Sequence, residues 1–518
     1  MKVPFTDSES VKGPFTDLRG LCRALHTDFA DALRLRSVRK SFAPCSYGHA
    51  DLCGLPGGEP IRTASEGTDA MGRNRQMRRV LATMTCLAAV ITVGGCSGGS
   101  IPQPAQPGVG TGSGAPTTGP AAKTADPPTA FDRAAGVPMA VKGFSTNVAG
   151  NVTARFMTLR DRIAYIAAPT GLVAVDVLAG KQLWTTPVEG APGDPNNQKG
   201  PFVNTTGPRP PVVTDKLAAA ALPVEKPEQG STPSYITLTV LAADATSGQK
   251  AWQADAKVSD DQYSGASNAV TKVVAITEKA VIATYDRDGG YPGATGDHIT
   301  VALDPATGKT LWTRKAYSGA SVHGDTLVGV DYTTVESYKV QALALDVATG
   351  QQKWNVESSR SLGFVSADPA LVVIKQKNNE HGDSFLVFLD PATGAEKARL
   401  AGPKSVFGSA PDYGDCFYDE QSALICASDG VLTGYDAATA QKLWSLPDKA
   451  TNRVAPDVTV AWHGLLYGDT RGGKPIALDA KTGKDVSTEV GVTPWWVSKY
   501  AAIGVSDGGE PMAYPVTK

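Results

Sequence analysis

The side chains most able to do chemistry in this sequence form small groups, and the first is an acidic loop. The segment TYDRDGGYPGATGDHI carries Asp286, Asp288 and Asp297, and carboxylate oxygens are ligands that Ca²⁺ prefers. The twelve-residue calcium loop pattern fails, however, because no glutamate stands at its end. We therefore interpret the segment as a solvated hairpin loop, with calcium binding as the alternative, and predict no metal site.

Three histidines are each followed by glycine or lie at expected turns: His323, His381 and His463. None stands at motif spacing from a serine or cysteine that would act as a nucleophile. They are interpreted as turn residues, so no catalytic residue is predicted.

Cys416 and Cys426 bracket the segment CFYDEQSALIC. With Gln421 at the centre of a hairpin loop, the two cysteines lie opposite each other on adjacent antiparallel strands. Outside the cytoplasm this arrangement favours a disulfide over two free thiols. No cysteine pair has CxxC spacing, which argues against zinc or thioredoxin-type chemistry.

The bulk composition excludes one class of partner. The 518 residues are 19% charged with a formal net charge of −2, and no basic stripe is present. Nucleic acid is therefore not an expected partner.

Residues 71–96 read MGRNRQMRRVLATMTCLAAVITVGGC, with an arginine-rich start followed by an apolar stretch too short to span a bilayer comfortably. The ending Val-Gly-Gly-Cys resembles a bacterial lipobox, which implies a signal peptide over 71–95 and acylation of Cys96. Residues 1–70 precede this signal. We predict an unstructured extension caused by an over-extended start, with translation beginning at Met71 or Met77; a real cytoplasmic extension is the alternative.

Residues 96–130 are rich in Pro, Gly, Ser and Thr and carry almost no bulky apolar side chain. Such a segment cannot bury enough surface to fold, so it is predicted to be a flexible tether. A lipid anchor and a tether together predict a domain held at the extracytoplasmic face of the cell membrane.

The rest of the chain repeats one short pattern, typified by ALDPATGKTLW at 302–312. Its aspartate caps a turn, its glycine supplies a left-handed conformation, and its tryptophan follows on the next strand. The last five aspartates are 42 to 46 residues apart, and the first two intervals carry insertions. The aspartates are Asp176, Asp244, Asp304, Asp346, Asp390, Asp436 and Asp479; the glycines are Gly180, Gly248, Gly308, Gly350, Gly394 and Gly483; the tryptophans are Trp184, Trp252, Trp312, Trp354 and Trp444.

Four short strands per repeat is the spacing of a β-propeller blade. The motif resembles the repeat of the pyrroloquinoline-quinone (PQQ)-like β-propellers over about residues 131–518. That resemblance implies that each tryptophan docks against the glycine turn of the next blade. Ala398 and Ser487 replace the tryptophan, and Ala440 replaces the glycine at a site where alanine costs on the order of 1 kcal/mol. Ala440→Gly is therefore predicted to stabilise the protein.

The repeats predict an all-β fold with eight blades, seven being the alternative. The carboxy-terminal run stops before an outer strand, so the missing strand must come from elsewhere, and the segment 139–151 is the expected donor. The motif turns are uniformly tight. The long, variable pieces 185–214, 222–235, 286–298 and 376–384 fall on the opposite face, where binding is expected.

The resemblance includes lipoproteins without catalytic activity, such as the propeller of the outer-membrane assembly machinery, and PQQ-dependent dehydrogenases. The dehydrogenases carry a vicinal Cys-Cys disulfide, a Ca²⁺ cluster and a catalytic aspartate, and none of these matches residues of this sequence. The sequence thus predicts a non-catalytic binding or scaffold protein without a cofactor, for a protein or envelope ligand it does not identify. A PQQ-dependent dehydrogenase is the alternative, and the oligomeric state stays open.

Overall fold

The computed structural model places the described residues in one compact unit within residues 110–518. The structure describes residues 124–139, 157–192, 207–258, 269–287, 297–333, 340–356, 361–365, 371–377, 384–402, 413–428, 430–470, 472–506 and 511–517. Within these ranges no helix is long and apolar enough to cross a membrane. The predicted leader, Cys96 and most of the tether lie outside the described residues.

Eight antiparallel sheets form the eight blades of a β-propeller, which confirms the prediction of eight blades. Four consecutive strands build each regular blade. Blade 1 contains β2 (Met157–Arg160), β3 (Ile163–Ala168), β4 (Gly171–Asp176) and β5 (Lys181–Pro187). Blade 4 contains β16 (Tyr317–His323), β17 (Thr326–Asp331), β18 (Gln341–Asp346) and β19 (Gln352–Asn355). Blade 5 contains β20 (Ser361–Val365), β21 (Val372–Lys377), β22 (Ser384–Leu389) and β23 (Glu396–Ala401). Blade 6 contains β24 (Asp415–Tyr418), β25 (Ala423–Ser428), β26 (Val431–Asp436) and β27 (Lys442–Leu446). Blade 7 contains β28 (Asp457–Trp462), β29 (Leu465–Asp469), β30 (Pro475–Asp479) and β31 (Asp485–Ser487).

Blades 2 and 3 are five-stranded because short strands extend their inner edges. Blade 2 contains β9 (Leu217–Lys226), β10 (Tyr235–Asp244) and β11 (Lys250–Lys257), with β6 (Ala191–Pro192) and β8 (Val212–Val213) both paired to β9. Blade 3 contains β12 (Ala269–Ile276), β13 (Val281–Arg287), β14 (Asp297–Leu303) and β15 (Thr310–Lys315), with β7 (Gly207–Pro208) parallel to β12.

The short strands belong to the segment 185–214, which the repeat spacing predicts to be a variable loop. Part of it instead lines the inner edges of three blades. Besides the pairings of β6, β7 and β8, the Thr158 hydroxyl of blade 1 donates to the Pro211 carbonyl at 2.6 Å. The Arg209 amide donates to the Thr271 carbonyl of blade 3 at 2.7 Å. Residues 207–213 therefore help to hold the inner edges of blades 1 to 3 together. Two of the other predicted loops are shorter than expected, because β9, β10, β13 and β14 extend into them.

Blade 8 closes the ring by joining both ends of the described chain. Its strands are β32 (Trp496–Val497), β33 (Ala501–Val505), β34 (Pro511–Pro515) and β1 (Val137–Pro138). Val137 pairs with Ala513, and the Met139 amide donates to the Pro511 carbonyl at 3.1 Å. The donor strand thus begins before the expected segment 139–151, of which only Met139 is described.

The end of the predicted tether is also part of the propeller. The Ala125 amide donates to the Lys499 carbonyl at 3.1 Å, and the Tyr467 hydroxyl donates to the Pro128 carbonyl at 2.7 Å. Phe131 is 3% exposed and packs 6.2 Å from the Tyr467 ring. Residues 124–131 therefore lie against blades 7 and 8 because an apolar side chain and backbone hydrogen bonds hold them there.

Candidate functional site: the polar cleft between blades 3 and 4

The two ends of the propeller differ in how their polar groups are used. On the turn face, which carries the Asp-x-x-x-Gly turns, the motif aspartates accept hydrogen bonds from their own turns. The Asp304 carboxylate accepts hydrogen bonds from the Ala306 amide (3.1 Å), the Thr307 amide (2.8 Å) and the Thr307 hydroxyl (2.7 Å). These bonds, led by that of the Thr307 hydroxyl, lower the pKa of Asp304. The other six motif aspartates accept from their own turns in the same way: Asp176, Asp244, Asp346, Asp390, Asp436 and Asp479.

The motif tryptophans join neighbouring blades near this face. The Trp252 indole donates to the Pro305 carbonyl of the next blade at 2.9 Å. A Cβ on Gly308 would lie 2.6 Å from the Trp252 ring, so only glycine fits beneath it. Trp312, Trp354 and Trp444 make the equivalent hydrogen bond at 2.9 Å, to Val347, Pro391 and Ala480. Trp184 stacks on Gly248, but its indole nitrogen has no partner, since the Ala245 carbonyl accepts from Tyr165 instead.

The interface between blades 5 and 6 replaces this tryptophan clamp with a different set of side chains. Ala398 occupies the tryptophan position and pairs across the sheet with Phe388, where other blades have alanine or glycine opposite their tryptophan. Phe388 is fully buried in the same cluster as Ala440, which has φ of 60° and is 4% exposed. The aromatic group has moved one strand inward, and the Ala440 methyl packs into the space above its turn.

The same cluster includes the cysteine pair. Cys416 on β24 is the register partner of Cys426 on β25, and the structure joins their sulfurs in a disulfide. Cys426 is buried among the side chains between blades 5 and 6.

The loop face, opposite the turns, carries an unusual polar surface between blades 3 and 4. We define the polar cleft as Lys272, Thr284, Asp286, His298, Thr300 and Arg314 of blade 3 with Ser318, Asp331 and Tyr332 of blade 4. Lys272 pairs with Thr284, and Thr284 with Thr300, so these side chains share one face of the sheet. The equivalent surface of blade 2 is apolar and packs on blade 3 through Ala221, Leu238 and Val240.

Asp286 is the centre of the cleft. Its carboxylate accepts hydrogen bonds from the Ser318 hydroxyl at 2.8 Å and the Thr284 hydroxyl at 3.1 Å, and contacts His298 Nδ1 at 3.1 Å. His298 is 7% exposed and stacks on Tyr332, with ring centroids 3.7 Å apart and planes 2° from parallel. The Asp286 carboxylate therefore links blades 3 and 4 and contacts the histidine of the stacked His298–Tyr332 pair.

Arg314 lies further out in the cleft and is incompletely paired. Its Nη2 atom is 3.8 Å from the Asp331 carboxylate, too far for a hydrogen bond. Asp331 is 3% exposed and already accepts from the Gln341 amide nitrogen at 3.0 Å and the Thr333 amide at 3.1 Å. Arg314 Nε is buried without a hydrogen-bond partner. The guanidinium carbon lies 5.7 Å from the Tyr317 ring centroid.

Lys272 occupies the inner end of the cleft, on β12. Desolvation by burial lowers its pKa, the charge of Arg209 lowers it further, and the charge of Asp286 opposes both. The cleft thus holds a cation at each end and a carboxylate in the middle.

Two of the three acidic loop residues considered as calcium ligands are described, and they have different partners. Asp286 belongs to the cleft, Asp297 forms an ion pair with Arg287 in which Nε lies 3.0 Å from the carboxylate, and Asp288 lies outside the described residues. Within the described residues, no group of three or more His, Cys, Asp and Glu side chains could hold a metal ion.

Two of the histidines singled out from the sequence, His323 and His463, lie away from the cleft. His323 ends β16 and contacts the Ser321 hydroxyl at 2.9 Å, and His463 forms ion pairs with Asp126 and, at 3.3 Å, with Glu420. His381 lies outside the described residues. His298 was missed, because its stacking partner Tyr332 belongs to the next blade. Its signal is a histidine six residues before the motif aspartate, where the other six repeats carry Thr170, Leu238, Val340, Ser384, Gly430 and Gly473.

The residues do not fit a PQQ site of the kind the resemblance implies. Cys416 and Cys426 are ten residues apart and bonded to each other, so they cannot form a vicinal disulfide over a quinone. At the inner edge of the ring, β6, β7 and β8 pair with the strands of blades 2 and 3. The cysteine pair and these inner strands therefore serve the architecture of the propeller.

Comparisons with known proteins identify the class of protein to which this chain belongs. The PQQ_2 family, described as outer membrane protein assembly factor BamB, matches residues 237–406 and 381–491, about half of the chain. The chain is a PQQ-like β-propeller, as the repeats predict. Among curated proteins, none matches the sequence significantly.

Solved structures match the chain at low similarity. BamB from Moraxella catarrhalis is 16% identical with a TM-score of 0.36, covering 65% of this chain and 83% of that chain. A quinohemoprotein alcohol dehydrogenase from Comamonas testosteroni is 13% identical with a TM-score of 0.43, covering 69% and 73%.

Proposed function

We propose that the protein is a non-catalytic binding or scaffold protein of the cell envelope, anchored through lipidated Cys96, and that it docks a protein partner on its loop face at blades 2 to 4. One observation carries the proposal: the motif aspartates of the turn face are satisfied within their own turns, whereas the polar cleft on the loop face holds buried and partly buried charges between two blades. Buried polar groups are costly unless paired, so a site holding several of them is a candidate for function. The match to a family described as an outer membrane protein assembly factor also supports a role in the cell envelope.

Site-specific photo-crosslinking tests which face binds. Photoreactive residues at Glu228 and Asn355, both exposed on the loop face, should crosslink a partner in intact cells. Matched controls at Ala306 and Ala348 are equally exposed on the turn face. Crosslinks from the turn-face positions alone would contradict the proposal.

The anchor and the alternative function have their own tests. Labelled palmitate should enter the wild-type protein and not Cys96→Ser. A PQQ-dependent dehydrogenase is the second candidate; quinone absorbance that stays with the protein after reconstitution with PQQ and Ca²⁺ would favour it.

A further inference from the structure

Arg314 stands where the propeller otherwise has no cation. It follows Trp312 by two positions on the outer strand of blade 3, and the equivalent residues after the other tryptophans are Thr186, Ala254, Val356 and Leu446. A guanidinium in this position replaces an apolar or hydroxyl side chain at a blade interface. Burying a charge there is unfavourable unless a partner compensates it.

The compensation inside the protein is incomplete. Within the described residues Arg314 makes no hydrogen bond, its Nε is buried without an acceptor, and Asp331 lies 3.8 Å from Nη2. Asp331 instead accepts from the Gln341 side chain and the Thr333 amide. By contrast, Arg162 on the turn face also has an unpartnered Nε, but its Nη2 contacts both oxygens of Asp176, at 3.0 and 3.3 Å.

The Arg314 side chain is nevertheless reachable, since 30% of it is exposed. The Tyr317 ring lies on one side of the guanidinium, whose carbon is 5.7 Å from the ring centroid. A planar fork of N–H donors matches a carboxylate, which can accept two parallel hydrogen bonds. We infer that Arg314 is the receptor for a carboxylate group of a bound partner, inserted between blades 3 and 4 from the loop face.

This inference rests on the proposed function and gives the partner a chemistry: an acidic group enters the cleft, and the Arg314 fork holds it. The stacked His298 and Tyr332 rings and the Asp286 carboxylate lie deeper in the same cleft and set its shape. A neutral or basic segment would leave the guanidinium unpaired.

The test follows the Arg314 Nε–H resonance by NMR, assigned by its loss in Arg314→Lys. Potassium acetate and a capped hexaglutamate peptide are titrated separately against potassium chloride at equal ionic strength. We expect a saturable shift in the wild-type protein and, by calorimetry, peptide affinity about tenfold or more weaker in Arg314→Met. Arg314→Lys should also bind more weakly because it keeps the charge but loses the fork. Arg399→Met on blade 5 is the matched control and should bind as the wild type does.

The outcomes separate the possible sources and the two proposals. A shift with acetate as well as peptide identifies a small acid as sufficient, and a shift with the peptide alone identifies an acidic polypeptide. No shift with either, or equal affinity in Arg314→Met, would overturn the carboxylate assignment. Loop-face crosslinks that persist in Arg314→Met would then leave the proposed binding function standing.

Discussion

Blade 3 meets its two neighbours through surfaces of opposite character. Toward blade 2 it presents Tyr285, Ile299 and Val301, which form one continuous apolar cluster with the facing side chains. Toward blade 4 it is apolar only near the turn face, through Ile282 and Ala302, and becomes polar toward the loop face. One side of the blade 3 sheet is thus packed mainly with apolar side chains, whereas the other side keeps polar groups near the loop face. The polar side is the part of the ring that we propose for binding.

The largest expected effect tests how much each surface contributes to stability. Trp252→Ala removes a side chain that is 7% exposed within the apolar cluster and should lower the free energy of unfolding by about 3–5 kcal/mol. Trp312→Ala removes a partly exposed side chain at the polar interface and should cost less, because less of its surface leaves water. Urea denaturation of both variants measures the difference. An equal or larger loss for Trp312→Ala would contradict the comparison.

A smaller effect separates breaking the polar cleft from replacing it. Asp286→Ala leaves Ser318, Thr284 and His298 without their acceptor and should lower the free energy of unfolding by about 1–3 kcal/mol. The double variant Asp286→Leu with His298→Leu imitates the apolar surface of blade 2 and should recover most of that loss.

Asp325→Ala is the control for Asp286→Ala. It removes a half-exposed carboxylate that is paired with Lys279 on the turn face, and it should change stability by less than about 1 kcal/mol. If Asp286→Ala behaves like this control, the cleft carboxylate is not structurally important.

Lys272 is expected to make the folding stability of the protein depend on pH. Its pKa is lowered in the folded protein by desolvation first, so the unfolded chain binds more protons between the folded pKa and the ordinary value near 10.5. Stability contributed by this residue therefore rises as the pH increases through that window. Lys272→Met should stabilise the protein at pH 7 by on the order of 1 kcal/mol, and the gain should disappear above about pH 10.5. A gain that is constant between pH 7 and pH 11 in thermal denaturation would refute this assignment.

The smallest effect concerns Ala440, where the structure changes a prediction made from the repeat. Glycine would relieve the positive φ but would remove a methyl group packed with Phe388, and these terms are each about 1 kcal/mol and opposed. Ala440→Gly alone should therefore change the melting temperature little. Combined with Ala398→Trp and Phe388→Ala it should give a clear gain, because the three changes restore the clamp of the other interfaces. A higher melting temperature for the single variant than for the triple variant would show that the clamp is not restored.

The repeat already predicts the architecture because each blade is specified locally. Aspartate, glycine and tryptophan at fixed spacing define a turn and a strand whose groups lie within about ten residues of each other. The cleft could not be predicted in this way. Asp286 bonds to Ser318 of the next blade, and Arg314 is notable only for lacking an acceptor, which no local pattern reveals. The inner pairing of β7 with β12 likewise joins residues from different repeats.

Ring closure has a consequence for the order in which the chain can fold. The strand Val137–Pro138 completes a sheet whose other members end at Pro515, so the closing contacts join segments far apart in sequence. Contacts of this kind form slowly, because the intervening chain must first be organised. Blades 1 to 7 can each form from local hairpins during synthesis, whereas closure must wait until the final strands have emerged.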